Sequence, residues 1–170
     1  MTDLPDVDAL IAALVMQLKP TITRETGMIG IVTGGAWLAE RLHRELALQV
    51  PLGRLDISFY RDDFSSSGLH ASVKPSQIPF SVDDREILLV DDVLYTGRTT
   101  RAALNEIFDY GRPKSVRLVV LADRDERQLP IAAQYFGAVI NVPAGKRLQL
   151  ERDDVGNLSL RLNAPKGRNA

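Results

Sequence analysis

The sequence has no cysteine, which excludes a disulfide framework, a thiolate zinc site and a cysteine nucleophile together. Its first residues, Met1-Thr2-Asp3-Leu4-Pro5-Asp6, lack the basic start and apolar run of a secretory signal. No apolar stretch approaches the roughly 20 residues that a membrane-crossing helix needs. A soluble, cytoplasmic protein with no membrane partner is therefore expected. Charge of either sign is not in excess: 21 Lys and Arg against 22 Asp and Glu leave a net charge of −1. No global basic field draws this chain to nucleic acid. Local clusters exist (Arg41, His43 and Arg44; Arg112, Lys114 and Arg117), and their convergence is open at this level. The two histidines, His43 and His70, sit in no pattern that marks a catalytic base.

Two familiar phosphate motifs are also missing. A P-loop needs Gly-x-x-x-x-Gly-Lys-Ser/Thr; Gly30 and Gly35 come near the spacing, but Ala36-Trp37 follows. No Gly-x-Gly-x-x-Gly dinucleotide fingerprint follows any strand. A phosphorylated-aspartate receiver would place acids at strand ends, but without a phosphate cradle directly behind them.

What is present fits one α/β domain. The 170 residues are 45% hydrophobic and 25% charged, enough to bury a core. The domain is expected over residues 1–162, with a disordered tail over 163–170. Val7, Leu10, Ile11, Leu14, Val15 and Leu18 recur at helical spacing behind a candidate N-cap, Asp6. A second helix is expected over residues 36–48, stopped by Pro51. A third is expected over 99–110, stopped by Gly111 and Pro113. Apolar strands are expected over 28–32, 55–60, 85–90 and 116–122, with short ones near Val139 and over 148–150. Strand–helix alternation implies a mostly parallel sheet flanked by helices.

Between the second and third of those strands lies a long Ser-, Gly-, Pro- and Asp-rich stretch. Loops beyond about 12–15 residues are usually functional, so residues 65–81 are a candidate flexible flap. Ligands of such sheets bind outside the C-terminal strand ends. Thr33-Gly34-Gly35, Arg61-Asp62, Asp91-Asp92 and Asp123-Arg124 all follow apolar strands and are expected to be polar turns sharing one edge.

The run over residues 87–100 carries the chemistry. An apolar strand delivers Asp91 and Asp92, which can accept from vicinal ribose hydroxyls or hold Mg²⁺ through water. Thr96, Gly97, Arg98, Thr99 and Thr100 then open a helix, whose unpaired N–H groups and positive dipole end favour a phosphate. Taken singly, each part reads better as a solvated acid pair or a capped helix. Together they suit a ribose phosphate.

The wording Asp91-Asp92-Val93-Leu94-Tyr95-Thr96-Gly97-Arg98-Thr99 resembles the PRPP-binding signature of type I phosphoribosyltransferases. It is similar, more narrowly, to the PyrR family of bifunctional pyrimidine operon regulators and uracil phosphoribosyltransferases. Residues 55–63, 110–113 and 121–130 resemble further segments of that family in the same order. The resemblance runs from about Gly30 to Leu150.

It implies a type I phosphoribosyltransferase fold with a flap and a small C-terminal hood. The implied activity is Mg²⁺-dependent transfer of the phosphoribosyl group of PRPP to uracil, giving UMP and pyrophosphate. Asp91 and Asp92 would meet the ribose hydroxyls or the metal's water shell, and residues 96–100 the 5-phosphate. Thr33, Gly34 and Gly35 would form the pyrophosphate loop, assisted by Arg61. Arg124 would serve the base, with Arg127 a lesser candidate. The family also implies a homo-oligomer and a possible RNA partner, the leader of a pyrimidine operon mRNA. An attenuation regulator with weak transferase activity and a transferase for another nucleobase are the alternatives. One departure stands out: many relatives read Lys-Thr-Arg-Gly where this chain has Val32-Thr33-Gly34-Gly35. Two cations are missing from the loop, which is expected to weaken pyrophosphate binding and slow transfer, or to shift the task to Mg²⁺ and Arg61.

Overall fold

The computed structural model describes residues 3–58 and 76–165. Helix α1 (Val7–Leu18) begins as expected: the Asp6 carboxylate accepts from the Ala9 N–H at 3.0 Å, satisfying an amide that has no partner inside the helix. Strand β1 (Gly27–Ile31) leads into helix α2 (Gly34–Glu45), and strand β2 (Gly53–Leu55) follows. Then come β3 (Glu86–Leu94), α3 (Arg98–Tyr110), β4 (Ser115–Asp123) and β5 (Tyr135–Val139). A hairpin of β6 (Arg147–Arg152) and β7 (Leu158–Asn163) ends the described chain.

The first five strands form one parallel sheet in the order β2-β1-β3-β4-β5. Neighbouring residues of each strand face opposite sides, and the core divides accordingly. Met28, Leu88, Val90, Val119 and Leu121 pack with α1, α2 and the β6–β7 hairpin. Ile29, Ile31, Ile87, Leu89, Leu118 and Val120 pack with Ala102, Ala103 and Ile107 of α3. Each such fully buried aliphatic contributes about 1.5–3 kcal/mol over leaving it in water.

Three expectations are corrected. Helix α2 starts two residues early and is not stopped by Pro51. Ala47 N–H donates to Arg44 O at 3.1 Å and Leu48 N–H to His43 O at 3.2 Å, with Ala47 at φ 50°. That is the paired bonding of a Schellman stop, made here with alanine in the left-handed position. The strand expected over 55–60 is instead Gly53–Leu55. Ser76 Oγ takes the Asp56 N–H at 3.0 Å and Asp56 Oδ1 takes the Ser58 N–H at 3.0 Å, so side chains replace the ladder there. Residues 59 and 60 lie outside the described residues, as do Arg61, His70 and positions 65–75 of the expected flap.

The third correction bears on the site. Asp91 and Asp92 are not in a turn but inside β3, which runs on to Leu94. Pairing with β1 ends at Gly30–Val90, while pairing with β4 continues to Leu94–Asp123. The last four residues of β3 therefore keep a ladder on one side and are open on the other. This is where the strand order reverses, between β1 and β3, the place where open parallel sheets bind ligands.

Of the segment expected as a tail, Asn163 is still in β7, paired with Arg147, and residues 166–170 lie outside the described residues. Among the described residues no helix is long and apolar enough to cross a membrane.

Candidate active site

At the open end of β3 lies a cleft of about 810 Å³. One wall is Asp91, Asp92 and Val93, and a second is Tyr95, Thr96, Arg98 and Thr99. Arg124, Glu126 and the residues leading into and along early β6 complete the lining.

Asp91 is buried and Asp92 half-buried. The Asp91 carboxylate accepts from the Asp92 N–H at 2.9 Å, which fixes the backbone between the two acids. The Val32–Thr33 peptide is cis, and Thr33 supplies its carbonyl to the first turn of α2, accepting from Ala36 and Trp37. Thr33, Gly34 and Gly35 back onto the acid pair rather than lining the cleft itself. A Cβ built on Gly34 would stand 2.7 Å from Cγ of Asp92, and one on Gly35 would meet the Val90 carbonyl at 2.6 Å. Only glycine lets the loop approach so closely.

The expected phosphate loop is built as a bend before α3. Gly97, at φ 93°, takes a left-handed conformation that other residues adopt at a cost. Thr96 Oγ1 accepts from the Arg98 N–H at 3.2 Å. The Thr96 carbonyl receives the Gln128 N–H at 2.9 Å, and Arg98 Nε donates to Gln128 Oε1 at 3.1 Å. The loop is thus tied to the segment after β4. Thr96, Arg98 and Thr99 face the cleft, while Thr100 is buried with no partner for its hydroxyl among the described residues.

Arg124 is buried, with its guanidinium 3.7 Å from the centroid of the Tyr95 ring and its Nη2 2.9 Å from Glu126 Oε1. Stacking and ion pair together fix a planar cation on the cleft wall. Arg127 has a different task. It donates to Asp123 Oδ2 at 2.5 Å, to the Ile131 carbonyl at 2.9 Å and to the Tyr95 carbonyl at 3.2 Å. It pins three segments to one another and does not line the cleft.

The structure thus brings Asp91, Asp92, Thr96, Arg98, Thr99 and Arg124 around one cleft, with Thr33–Gly35 behind the acids. Arg61 lies outside the described residues. No motif pointed to Tyr95 as the platform under Arg124, nor to Lys146, Arg147 and Gln149 in the cleft lining. Their placement depends on how the β6–β7 hairpin docks. Among the described residues no group of three or more His, Asp or Glu is arranged to hold a metal by protein ligands alone. Two adjacent carboxylates do suit a magnesium ion that keeps most of its waters and takes further oxygens from a substrate.

The chain is similar to known proteins over most of its length. The phosphoribosyl transferase domain family matches residues 3–146. The bifunctional protein PyrR of Pseudomonas putida (strain W619) is 48% identical over 168 residues, which cover 92% of this chain and 98% of that protein. The protein of the same name from Nitrosococcus oceani is 49% identical, covering 94% of each. Among solved structures, a purine phosphoribosyltransferase from Pyrococcus horikoshii superposes with a TM-score of 0.59 at 25% identity, covering 79% of this chain and 82% of that one. A hypoxanthine phosphoribosyltransferase from Staphylococcus aureus gives 0.62 at 22% identity, covering 82% and 76%; at that identity the likeness is one of fold.

Proposed function

The chain belongs to the phosphoribosyl transferase domain family and to its PyrR members, and we propose that it transfers the phosphoribosyl group of PRPP to uracil, giving UMP and pyrophosphate. One observation carries the reading: the acids at the open end of β3 and the bend before α3 line a single cleft. Carboxylates for sugar hydroxyls stand one short bend ahead of a phosphate cradle, the order a 5-phosphorylated ribose requires.

In this reading uracil N1 forms a bond to the anomeric carbon, the bond from that carbon to the pyrophosphate oxygen breaks, and uracil gives up its N1 proton. Positive charge builds on the ribose and negative charge on the leaving group. Asp92 holds the ribose hydroxyls and, beside Asp91, faces the developing positive charge. The N–H groups of the bend before α3 fix the 5-phosphate, so that the anomeric carbon stays in line with the incoming base. Arg124, flat on Tyr95, presents donors to the base carbonyls. Magnesium bound through water to Asp91 and Asp92 would neutralise charge on the departing pyrophosphate.

The test is PRPP turnover with uracil, hypoxanthine, guanine, adenine and orotate, with product identified in each case. We expect UMP from uracil, magnesium dependence, and its loss in Asp92→Asn. Turnover of another base without uracil would refute the assignment.

A second reading, regulation through a pyrimidine operon mRNA leader, is favoured by one observation. Arg41, Arg44 and Arg152 line a second cleft of about 390 Å³ between α2 and the β6–β7 turn. Acids offset much of that charge: Arg41 pairs with Asp8 and Glu45, and Arg152 with Glu40. Leader binding that weakens steeply with salt supports this reading; no binding at low salt removes it.

A further inference from the structure

PRPP is anionic at both ends, and the cleft meets those ends unequally. The bend before α3 serves one end. At the other, the loop of Thr33, Gly34 and Gly35 carries no cation, and no Lys, Arg or His occurs anywhere from residue 25 to residue 40. A side chain at residue 34 would have to displace the Asp92 carboxylate, whose Cγ stands 2.7 Å from where the Cβ would go. The acids therefore present negative charge near where a pyrophosphate is expected.

The same cleft holds two further cations. We propose that Lys146 and Arg147 supply the positive charge for the pyrophosphate end of PRPP, replacing the cations this chain lacks in its loop. Both residues are exposed and line the same cleft as Asp91 and Asp92. Neither has an ion pair or side-chain hydrogen bond among the described residues. Arg124, by contrast, is held by Glu126, and Arg98 donates to Gln128. The pair is also positioned. Lys146 N–H donates to the Pro143 carbonyl at 3.0 Å across a turn with Gly145 at φ 73°, the glycine-requiring position of a type II turn. Leu148 and Leu150 are buried in the core, so alternation leaves Arg147 and Gln149 on the other face of β6. Arg147 is paired in register with Asn163. Two cations on a fixed strand start suit a polyphosphate, which needs charge more than shape.

This inference rests on the PRPP reading above, and the experiment separates the two. Lys146→Gln, Arg147→Gln and the double variant are compared with the wild type for turnover and, by calorimetry with magnesium present, for binding of PRPP, pyrophosphate and UMP. We expect the KM for PRPP and the Kd for pyrophosphate each to rise about tenfold per substitution, the scale of a charge-assisted bond. The UMP affinity, which involves no pyrophosphate, stays within about twofold. Both side chains are exposed, so the melting temperature holds. Equal loss of UMP and pyrophosphate affinity, or no loss of either, overturns the proposal. Wild type that binds PRPP through this pair without making UMP sinks only the base assignment; wild type that binds no PRPP sinks both.

Discussion

Gly34 and Asp92 belong to different strand ends, yet a Cβ on the first would stand 2.7 Å from Cγ of the second. The approach arises because β3 runs four residues beyond its last pairing with β1 and the start of α2 turns in against the overhang. Gly34→Ala must therefore push Asp92 aside. Overpacking of this kind costs about 1–3 kcal/mol, and displacing a substrate-positioning group by about 1 Å can cost on the order of 100-fold in rate. The expected outcome is a fall of about tenfold or more in kcat/KM for PRPP, with a melting temperature lowered by roughly 2–12 °C. Unchanged kinetics would show that Asp92 works from another position.

Arg124 joins a buried guanidinium to an aromatic face and to one carboxylate. Replacing it with alanine removes all donors from that wall, and lysine restores charge without the planar fork. Both Arg124→Ala and Arg124→Lys should raise the KM for uracil about tenfold, with the KM for PRPP little changed. Steady-state kinetics with each substrate varied in turn decides this. A selective rise in the PRPP constant would move Arg124 from the base to the phosphates.

Ala47 closes α2 in the left-handed region, where an L side chain costs about 1–2 kcal/mol. Glycine removes that cost but widens the unfolded ensemble. Ala47→Gly is expected to stabilise the protein by about 1 kcal/mol, raising the melting temperature by roughly 2–4 °C at this chain length. A lower melting temperature would mean that the alanine methyl makes a contact worth more than its backbone strain.

These cases mark how far the sequence could be read. The buried strands and amphipathic helices were legible because their apolar periods are local, and the acid pair and phosphate bend because they adjoin in one run. The ends were less so. Pro51 looked like the stop of α2, but bonds from Ala47 and Leu48 decide it. Asp91 and Asp92 read as a turn because nothing local says that β4 continues to Asp123 and keeps them in a ladder. Lys146 and Arg147 carried no motif; they reach the cleft through the docking of a hairpin whose contacts are remote in sequence.

That hairpin depends on Asp153. Its Oδ1 accepts from Val155 N–H at 3.0 Å and Asn157 N–H at 2.8 Å, and its Oδ2 from Asn157 Nδ2 at 2.8 Å. The Asn157 side-chain bond first, then its backbone bond, hold the Asp153 carboxyl below the ordinary carboxylate value. A carboxyl lowered on folding adds stability above its unfolded pKa and loses it as pH falls through its folded one. Protection of β6–β7 amides from hydrogen exchange, corrected for intrinsic rates, should thus fall as the medium is acidified through and below the carboxylate range. In Asp153→Ala the same amides should be less protected at neutral pH and insensitive to that acid step. If wild type and variant lose protection in parallel, some other group closes the hairpin that carries Lys146 and Arg147 to the cleft.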